Sequence, residues 1–287
     1  MSLSIDELRG LCDFAAHERM IVEALRAALG SGTGRIRFFG NYTSWNGFFG
    51  SGVAALAGKI GRSRRLFLDP QEPVEAIADR SVYVASFFFD AARDEFDDRE
   101  TVWRDTHRCL AQATVRGLLD YEARIGAPLQ PQAVNQLLAE SISLQALNNR
   151  VALGYGVGTP DDLSSIFAGI GYHLGSELLA DREFSIIDSM LQSTAPELVA
   201  HLQGAKVRVA GQEHQAYQWV SIHSGHGGGA EADHFQWATQ GARLALRFVP
   251  PALHAQLRRE LHRGFQSFAS DHREFFTAIC NETAATP

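Results

Sequence analysis

The residues with the clearest chemical potential lie together between Ile222 and Gln236 (IHSGHGGGAEADHFQ), where three histidines, two carboxylates and three consecutive glycines fall within fifteen residues. On a regular helix Glu231 and His234 are three residues apart, so both project from nearly the same face. A carboxylate and an imidazole presented together are typical ligands for a first-row transition metal such as iron, manganese or zinc. The alternative is a polar helix start near Gly229 with solvent-exposed histidines.

Two upstream histidines compete for a place beside this pair. On an ideal helix His223 and His234 face the same way but stand about 16 Å apart along the axis. The glycines at 227–229 must therefore loop out to bring them together, which glycine permits because it accepts positive φ. We favour His223 as the upstream ligand because WVSIH continues an apolar helix face, and His226 is the alternative.

Three further regions place carboxylates or histidines in otherwise apolar helical sequence. Glu95 ends the run FFFDAARDEF, His107 lies in RDTHRCLAQA, and Glu177 follows His173 by four residues in AGIGYHLGSELLADREF. A Glu among Gly, Leu and Ala needs a partner, because burying an unpaired charge costs on the order of several kcal/mol. Carboxylates and histidines on separate helices of a bundle are typical of a dinuclear iron or manganese site.

The spacing between Glu95 and His107 imposes a condition on the helices. On one ideal helix the two residues would point about 120° apart, so a shared site requires the helix to break between them. Asp97 and Asp98 are a candidate break. Glu100 is the alternative ligand, since it lies seven residues before His107 and about 20° from it around an ideal helix.

At these residues the chain resembles the heme-oxygenase-like diiron oxidases and oxygenases, which are relatives of the TenA/PqqC-like helical proteins of thiamin salvage and coenzyme-PQQ synthesis. The resemblance covers roughly residues 82–248. It implies two non-heme irons, with manganese as the alternative metal, and O2 as cosubstrate. The ligands that it implies are Glu95, His107, Glu177, His223, Glu231 and His234.

The resemblance also indicates the reaction class. It implies a small carboxylate- or amine-bearing substrate, such as an amino acid, a fatty acid or a derived amine, and N-oxygenation, oxidative C–C cleavage or decarboxylation. It assigns no catalytic residue beyond the ligands and no organic cofactor, and it leaves open an external electron donor and a homodimer. The alternatives are a metal-free TenA/PqqC-like enzyme on the same bundle and a non-catalytic helical scaffold or interaction protein.

Composition excludes several other classes. A net charge of −7 argues against nucleic-acid binding. Three widely separated cysteines without a CxxC pair indicate reduced thiols in a cytoplasmic protein. The beginning of the sequence lacks the pattern of a signal peptide, and no apolar run approaches the roughly 20 residues that span a bilayer. We therefore expect a cytoplasmic protein that does not associate with membranes.

The elements that must position these residues are helices. Helical apolar periodicity nearly throughout predicts an all-α protein, a single bundle of about eight to ten helices over residues 1–287. The resemblance implies that this bundle is heme-oxygenase-like. Ser4 to Leu29 is expected to form one helix, and Thr159 to Asp162 to begin another. The segment from Phe38 to Gly61 is rich in glycine and aromatic residues, and we expect it to be irregular until it becomes a short helix near Val53 to Lys59. Lys206 to Ala210 (KVRVA) is the one strand-like stretch.

Overall fold

The protein folds as a set of packed α-helices. The computed structural model describes residues 3–68, 77–96, 106–126, 128–224 and 230–285, and their side chains except at 77, 78, 181 and 230–233. These ranges contain thirteen α-helices: α1 (Ile5–Arg9), α2 (Phe14–Leu29), α3 (Gly32–Asn46), α4 (Phe49–Arg62), α5 (Ile77–Phe96), α6 (His107–Ile125), α7 (Pro131–Leu138), α8 (Ile142–Gly154), α9 (Leu163–Thr194), α10 (Pro196–Gly204), α11 (Gln218–His223), α12 (Ala230–Arg247) and α13 (His254–Ala284). The all-α class is confirmed, with more helices than the eight to ten expected.

The two longest helices cross at the centre of the bundle. α9 packs against α13, and both also contact α2. A Cβ atom added at Gly171 would lie 1.8 Å from the carbonyl oxygen of Leu261, and one at Gly264 would lie 1.9 Å from that of Ala168. No side chain fits at either position, so the two backbones can touch only because both residues are glycine. This contact holds α9, which carries Glu177, in a fixed position.

Aromatic side chains fill the space between α3 and α13. Trp45 stacks on Phe275 with 4.6 Å between ring centroids, and Tyr42 lies 6.1 Å from Phe276. Rings of this size bury large apolar areas and so dominate the energetics of a core. Across the ranges given above, no helix is both long enough and apolar enough to cross a membrane.

A short β-hairpin follows α10. Strands β1 (Lys206–Val209) and β2 (Gln212–Gln215) pair in antiparallel register. The turn residues Ala210 and Gly211 have φ values of 52° and 84°, as a two-residue hairpin turn requires. The strand-like stretch seen in the sequence is therefore a strand, and its partner is a polar segment without an apolar alternation.

The segment from Ser4 to Leu29, expected as one helix, forms two. α1 ends at Arg9 with Gly10 as its C-cap, and Asp13 caps the start of α2 by accepting a hydrogen bond from the N–H of Ala16 at 3.0 Å. An Asp in this position satisfies an N–H group that has no partner within the helix. The expectation of one continuous helix was wrong because its apolar periodicity continues across the capping residues.

The short helix expected near Val53 to Lys59 lies within α4, but the irregular structure expected before it, from Phe38 onward, was wrong, because α3 and the first turn of α4 occupy that part of the chain. The glycines there serve packing. A Cβ atom at Gly40 would lie 2.4 Å from Leu138 Cδ2, and one at Gly52 would lie 2.3 Å from Tyr155 Cδ2. Neighbouring side chains fill the space that a larger residue would take, and this packing compensates for the low helix propensity of glycine.

Candidate metal centre

Three side chains from three helices converge at one end of the bundle. Glu95 lies near the end of α5, His107 is the first residue of α6, and His223 is the last residue of α11. His107 Nδ1 lies 3.2 Å from Glu95 Oε2 and 3.2 Å from His223 Nε2. One ligand atom from each residue lies within 4.8 Å of the other two. We refer to these three residues as the first cluster.

Local structure fixes the orientation of both histidines. Thr106 caps α6 by accepting a hydrogen bond from the N–H of Cys109 at 3.1 Å, which places His107 in the first turn. His223 Nδ1 donates to the carbonyl oxygen of Trp219 at 2.7 Å, and its ring stacks on Phe184 at 4.4 Å between centroids. Because Nδ1 carries the proton, the Nε2 lone pair of His223 points at His107.

A second cluster adjoins the first and consists of Asp94, His173, Glu177 and His234. Glu177 Oε1 lies 3.2 Å from His173 Nδ1 one helical turn earlier on α9, and its Oε2 lies 3.5 Å from Nδ1 of His234 on α12. His234 Nε2 lies 3.1 Å from Asp94 Oδ2 on α5. His173, Glu177 and His234 are buried, whereas 26% of the Asp94 side chain is exposed.

The charges of the first cluster are strongly coupled. Burial opposes ionisation of Glu95, but the attraction of His107 outweighs it and lowers the pKa of Glu95 to about 2. Burial, and then repulsion from His107, lower the pKa of His223 to about 3. Burial lowers the pKa of His107, but the attraction of the neighbouring Glu95 outweighs it and raises the pKa overall. The site therefore presents an ionised carboxylate and a neutral imidazole near pH 7.

In the second cluster burial raises the pKa of Glu177, but His173 and a hydrogen bond to His234 outweigh it and lower the pKa overall. Glu95 acts against this shift, because its negative charge disfavours a second carboxylate nearby. Glu95 of the first cluster and Glu177 of the second line the same cavity, so the two clusters are neighbours. Two carboxylates held close together and ionised call for positive charge between them.

The donor atoms suit a pair of divalent metal ions. In the first cluster a carboxylate oxygen and two ring nitrogens point toward each other from three helices. The hydrogen bond from His223 to the Trp219 carbonyl is of the kind that orients metal-bound histidines. In the second cluster Glu177, His234 and Asp94 offer two carboxylates and an imidazole. Oxygen and imidazole ligands without thiolate suit iron or manganese.

A cavity of about 290 Å³ opens beside both clusters, and Glu95, His107, Glu177 and His223 lie in its wall. Arg108 lies in the same wall, is exposed, and donates from Nη1 to the carbonyl oxygen of Thr43 at 2.7 Å. The rest of the wall combines aromatic rings with small and polar residues, among them Ser176 and Glu183. Its rings belong to Trp45, Phe49, Phe96, Phe184, Trp219 and Phe268.

The structure brings together five of the six residues named from the sequence: Glu95, His107, Glu177, His223 and His234. The helix break that the spacing of Glu95 and His107 requires is present at Thr106, whose non-helical backbone caps α6, whereas the candidate break at Asp97 and Asp98 lies outside the described residues. Whether these five residues bind metal stays a prediction. The side chain of Glu231 and the alternative ligands His226 and Glu100 lie outside the described residues.

Sequence reasoning missed Asp94. It stands in the same FFFDAARDEF run as Glu95 but is one residue earlier, so it projects about 100° away around α5. That rotation turns Asp94 toward α12 and His234, while Glu95 faces α6. The sequence did contain a signal, namely two adjacent carboxylates at the end of an apolar helix. Recognising Asp94 from it would have required the assumption that another helix packs on each side of α5.

No known protein-family model matches the chain, and no curated protein matches it. Among solved structures, the chain is similar to the crystal structure of a TenA homolog from Pseudomonas syringae pv. tomato str. DC3000. The sequence identity is 10%, the match covers 95% of this chain and 96% of the other, and the TM-score is 0.41. A likeness of this degree assigns no function to the chain.

Proposed function

We propose that the protein is an O2-dependent oxidase or oxygenase with two non-heme irons, acting on a small carboxylate- or amine-bearing metabolite. The observation that carries the proposal is the first cluster, in which Glu95, His107 and His223 place three ligand atoms within 4.8 Å of one another. Two bound irons would supply the one-electron steps that allow O2 to react with an organic molecule.

Each cluster would hold one iron. Glu95, His107 and His223 would bind the first, and Glu177 and His234 the second, with Asp94 either binding directly or orienting His234. These three carboxylates would offset most of the charge of two divalent ions. Glu231 would add a fourth carboxylate, as the sequence predicts.

The cavity wall would bind and orient the substrate. Its aromatic rings offer an apolar surface for an aliphatic or aromatic portion and keep water from the reacting end. Arg108 would bind a carboxylate, because its guanidinium retains donors beyond the one that contacts Thr43. A substrate with its carboxylate at Arg108 would extend its other end toward Glu95 and Glu177.

A metal-free enzyme on the same bundle is the second candidate. The observation that favours it is the contact between His107 and Glu95, 3.2 Å apart, with an orienting partner in His223. A carboxylate paired with an imidazole in an apolar cavity can act as an acid–base pair without a metal. Such an enzyme would need neither iron nor O2.

The experiment that separates the two candidates is steady-state O2 consumption by protein reconstituted with Fe(II), tested with amino acids, fatty acids and amines. We expect His223→Ala to abolish iron-dependent O2 consumption and His226→Ala to leave it within about tenfold. The matched control is His214→Ala, since His214 is equally buried but lies on β2 away from the cavity. Full activity of His223→Ala would remove this residue from the site, and turnover without iron would favour the metal-free candidate.

A further inference from the structure

A line of four buried polar side chains runs from the cavity into the bundle. Tyr42 Oη donates to Glu183 Oε2 at 2.7 Å. His272 Nε2 lies 2.9 Å from Glu183 Oε1, and His272 Nδ1 lies 2.9 Å from His17 Nδ1. None of the four residues is more than 3% exposed. The metal centre proposed above uses none of them.

The geometry of His272 distinguishes a line from a chelating site. Its two ring nitrogens contact different partners, the carboxylate of Glu183 on one side and the imidazole of His17 on the other. The ligand atoms of a metal site converge on one point. Here the polar atoms are instead arranged one after another, from Glu183 through His272 to His17. Two ring nitrogens 2.9 Å apart also require one proton between them, so one imidazole donates and the other accepts.

The inner end of the line reaches the cavity. Glu183 lies in the cavity wall together with Glu177 and His223. Tyr42 donates to one of its carboxylate oxygens, and the other lies 2.9 Å from His272 Nε2 without a hydrogen bond. The carboxyl group is therefore fixed in position next to the space where a substrate would react.

The outer end of the line lies at the edge of the bundle. His17 on α2 interacts electrostatically with Asp13 and Arg273, and both of these side chains are exposed. Burial, and then repulsion from His272, lower the pKa of His17 to about 4. His17 is therefore neutral near pH 7 and can accept a proton on one ring nitrogen while donating from the other.

We propose that Glu183 exchanges protons with the reacting molecule in the cavity and that His272 and His17 connect it to solvent. The inference rests on the proposed function, since reduction of O2 takes up protons as well as the electrons that ferrous iron or an external donor supplies. Glu183 Oε1 would accept the proton of His272 Nε2 once the imidazole turns its N–H toward that oxygen, because the 2.9 Å contact is not itself a hydrogen bond. His272 Nδ1 accepts the proton of His17 Nδ1, and His17 Nε2 takes one from water. One proton enters the line from water at His17, one leaves it from Glu183 to the reacting molecule, and no electron moves along the line.

The first test compares Glu183→Gln with His214→Gln, a buried histidine outside the line. Both proteins are loaded with Fe(II), and the rate of a single round of O2 consumption is measured. We expect Glu183→Gln to retain the iron content of the parent protein and to slow O2 consumption at least tenfold, because an acid–base residue contributes about 10²–10⁴ to a rate. The control should stay within about twofold. An unchanged rate would overturn the proposal, as would loss of iron, which would make Glu183 a metal ligand.

The second test needs no metal. The ring nitrogens of His17 and His272 are followed by ¹⁵N NMR in metal-free protein as the pH is lowered, with His17→Gln and His272→Gln used for assignment. We expect Glu183→Gln to shift the titration of His17 through His272, which hydrogen-bonds to His17 and contacts Glu183, and His214→Gln to leave it unchanged. A His17 titration that does not respond to Glu183→Gln would refute the connection. If the coupling is present but the parent protein binds no iron, the proposed function fails while the proton line stands.

Discussion

The close contact between α9 and α13 at Gly171 predicts how a substitution there changes the stability of the protein and the geometry of the site. A Cβ atom at Gly171 would lie 1.8 Å from the carbonyl oxygen of Leu261, whereas ordinary contact begins at 3.4 Å. Gly171→Ala therefore requires the helices to separate by about 1.6 Å, the difference between these two distances. The obstructing atom belongs to the backbone and cannot rotate away, so we expect a cost at or above the upper end of overpacking effects, about 3 kcal/mol or more.

The assay is thermal or urea unfolding of the parent protein, Gly171→Ala and Gly58→Ala. Gly58 is the matched control, because it lies inside α4, is exposed, and a Cβ atom there would meet nothing within 4 Å. Gly58→Ala should stabilise the protein by up to about 1 kcal/mol through helix propensity. Gly171→Ala should lower the melting temperature by at least about 6 °C.

The same substitution should also disturb the site, because Gly171 lies six residues before Glu177 on α9. Moving α9 shifts Glu177 relative to His234 on α12, so we expect weaker Fe(II) binding by folded Gly171→Ala protein. Equal stability of Gly171→Ala and the parent protein would show that the helices do not approach as closely as described and would refute this reasoning.

Two further predictions concern pH and substrate binding. The pKa of His17 is lowered to about 4 in the folded protein, so its contribution to stability is complete above about pH 6.5 and is lost progressively as the pH falls toward 4. Allowing for solvent screening, the free energy of unfolding should be about 2 kcal/mol lower at pH 4.5 than at pH 7, and His17→Gln should reduce this difference. If the variant shows the same difference as the parent protein, the pH dependence belongs to other groups. Arg108→Ala should weaken binding of a medium-chain fatty acid at least tenfold by calorimetry, whereas Arg116→Ala, an exposed arginine on the same helix, should not; equal affinities would remove Arg108 from the binding site.

The sequence predicts the helical class and part of the site because both depend on local periodicity. Glu95 and Glu177 stand out as carboxylates within apolar helical runs, and His107 follows a segment whose spacing demands a helix break. Glu183 lies in the same helix as Glu177, but six residues later and so about 120° around it. It looks like an ordinary polar residue until the structure shows His272 against it.

What the sequence could not predict depends on contacts between distant segments. The glycines of α3 and α4 suggest irregular structure by propensity, yet packing against Leu138 and Tyr155 makes them helical. The line from Glu183 to His17 exists only because α9, α13 and α2 pack together. Helix propensity depends on the local sequence alone. Neither the helical conformation of these glycines nor the line from Glu183 to His17 can be predicted without knowing which helices are neighbours.

The most direct test of the proposed metal centre is the iron content of the purified protein. Protein prepared without chelators and loaded anaerobically with Fe(II) is analysed for iron per chain, together with His107→Ala, Glu177→Ala and the control His214→Ala. We predict close to two irons in the parent protein and the control, and the loss of at least one iron in each of the other variants with little change in helical circular dichroism. A parent protein that binds no iron, or two variants that keep full occupancy, would contradict the assignment of these residues as ligands.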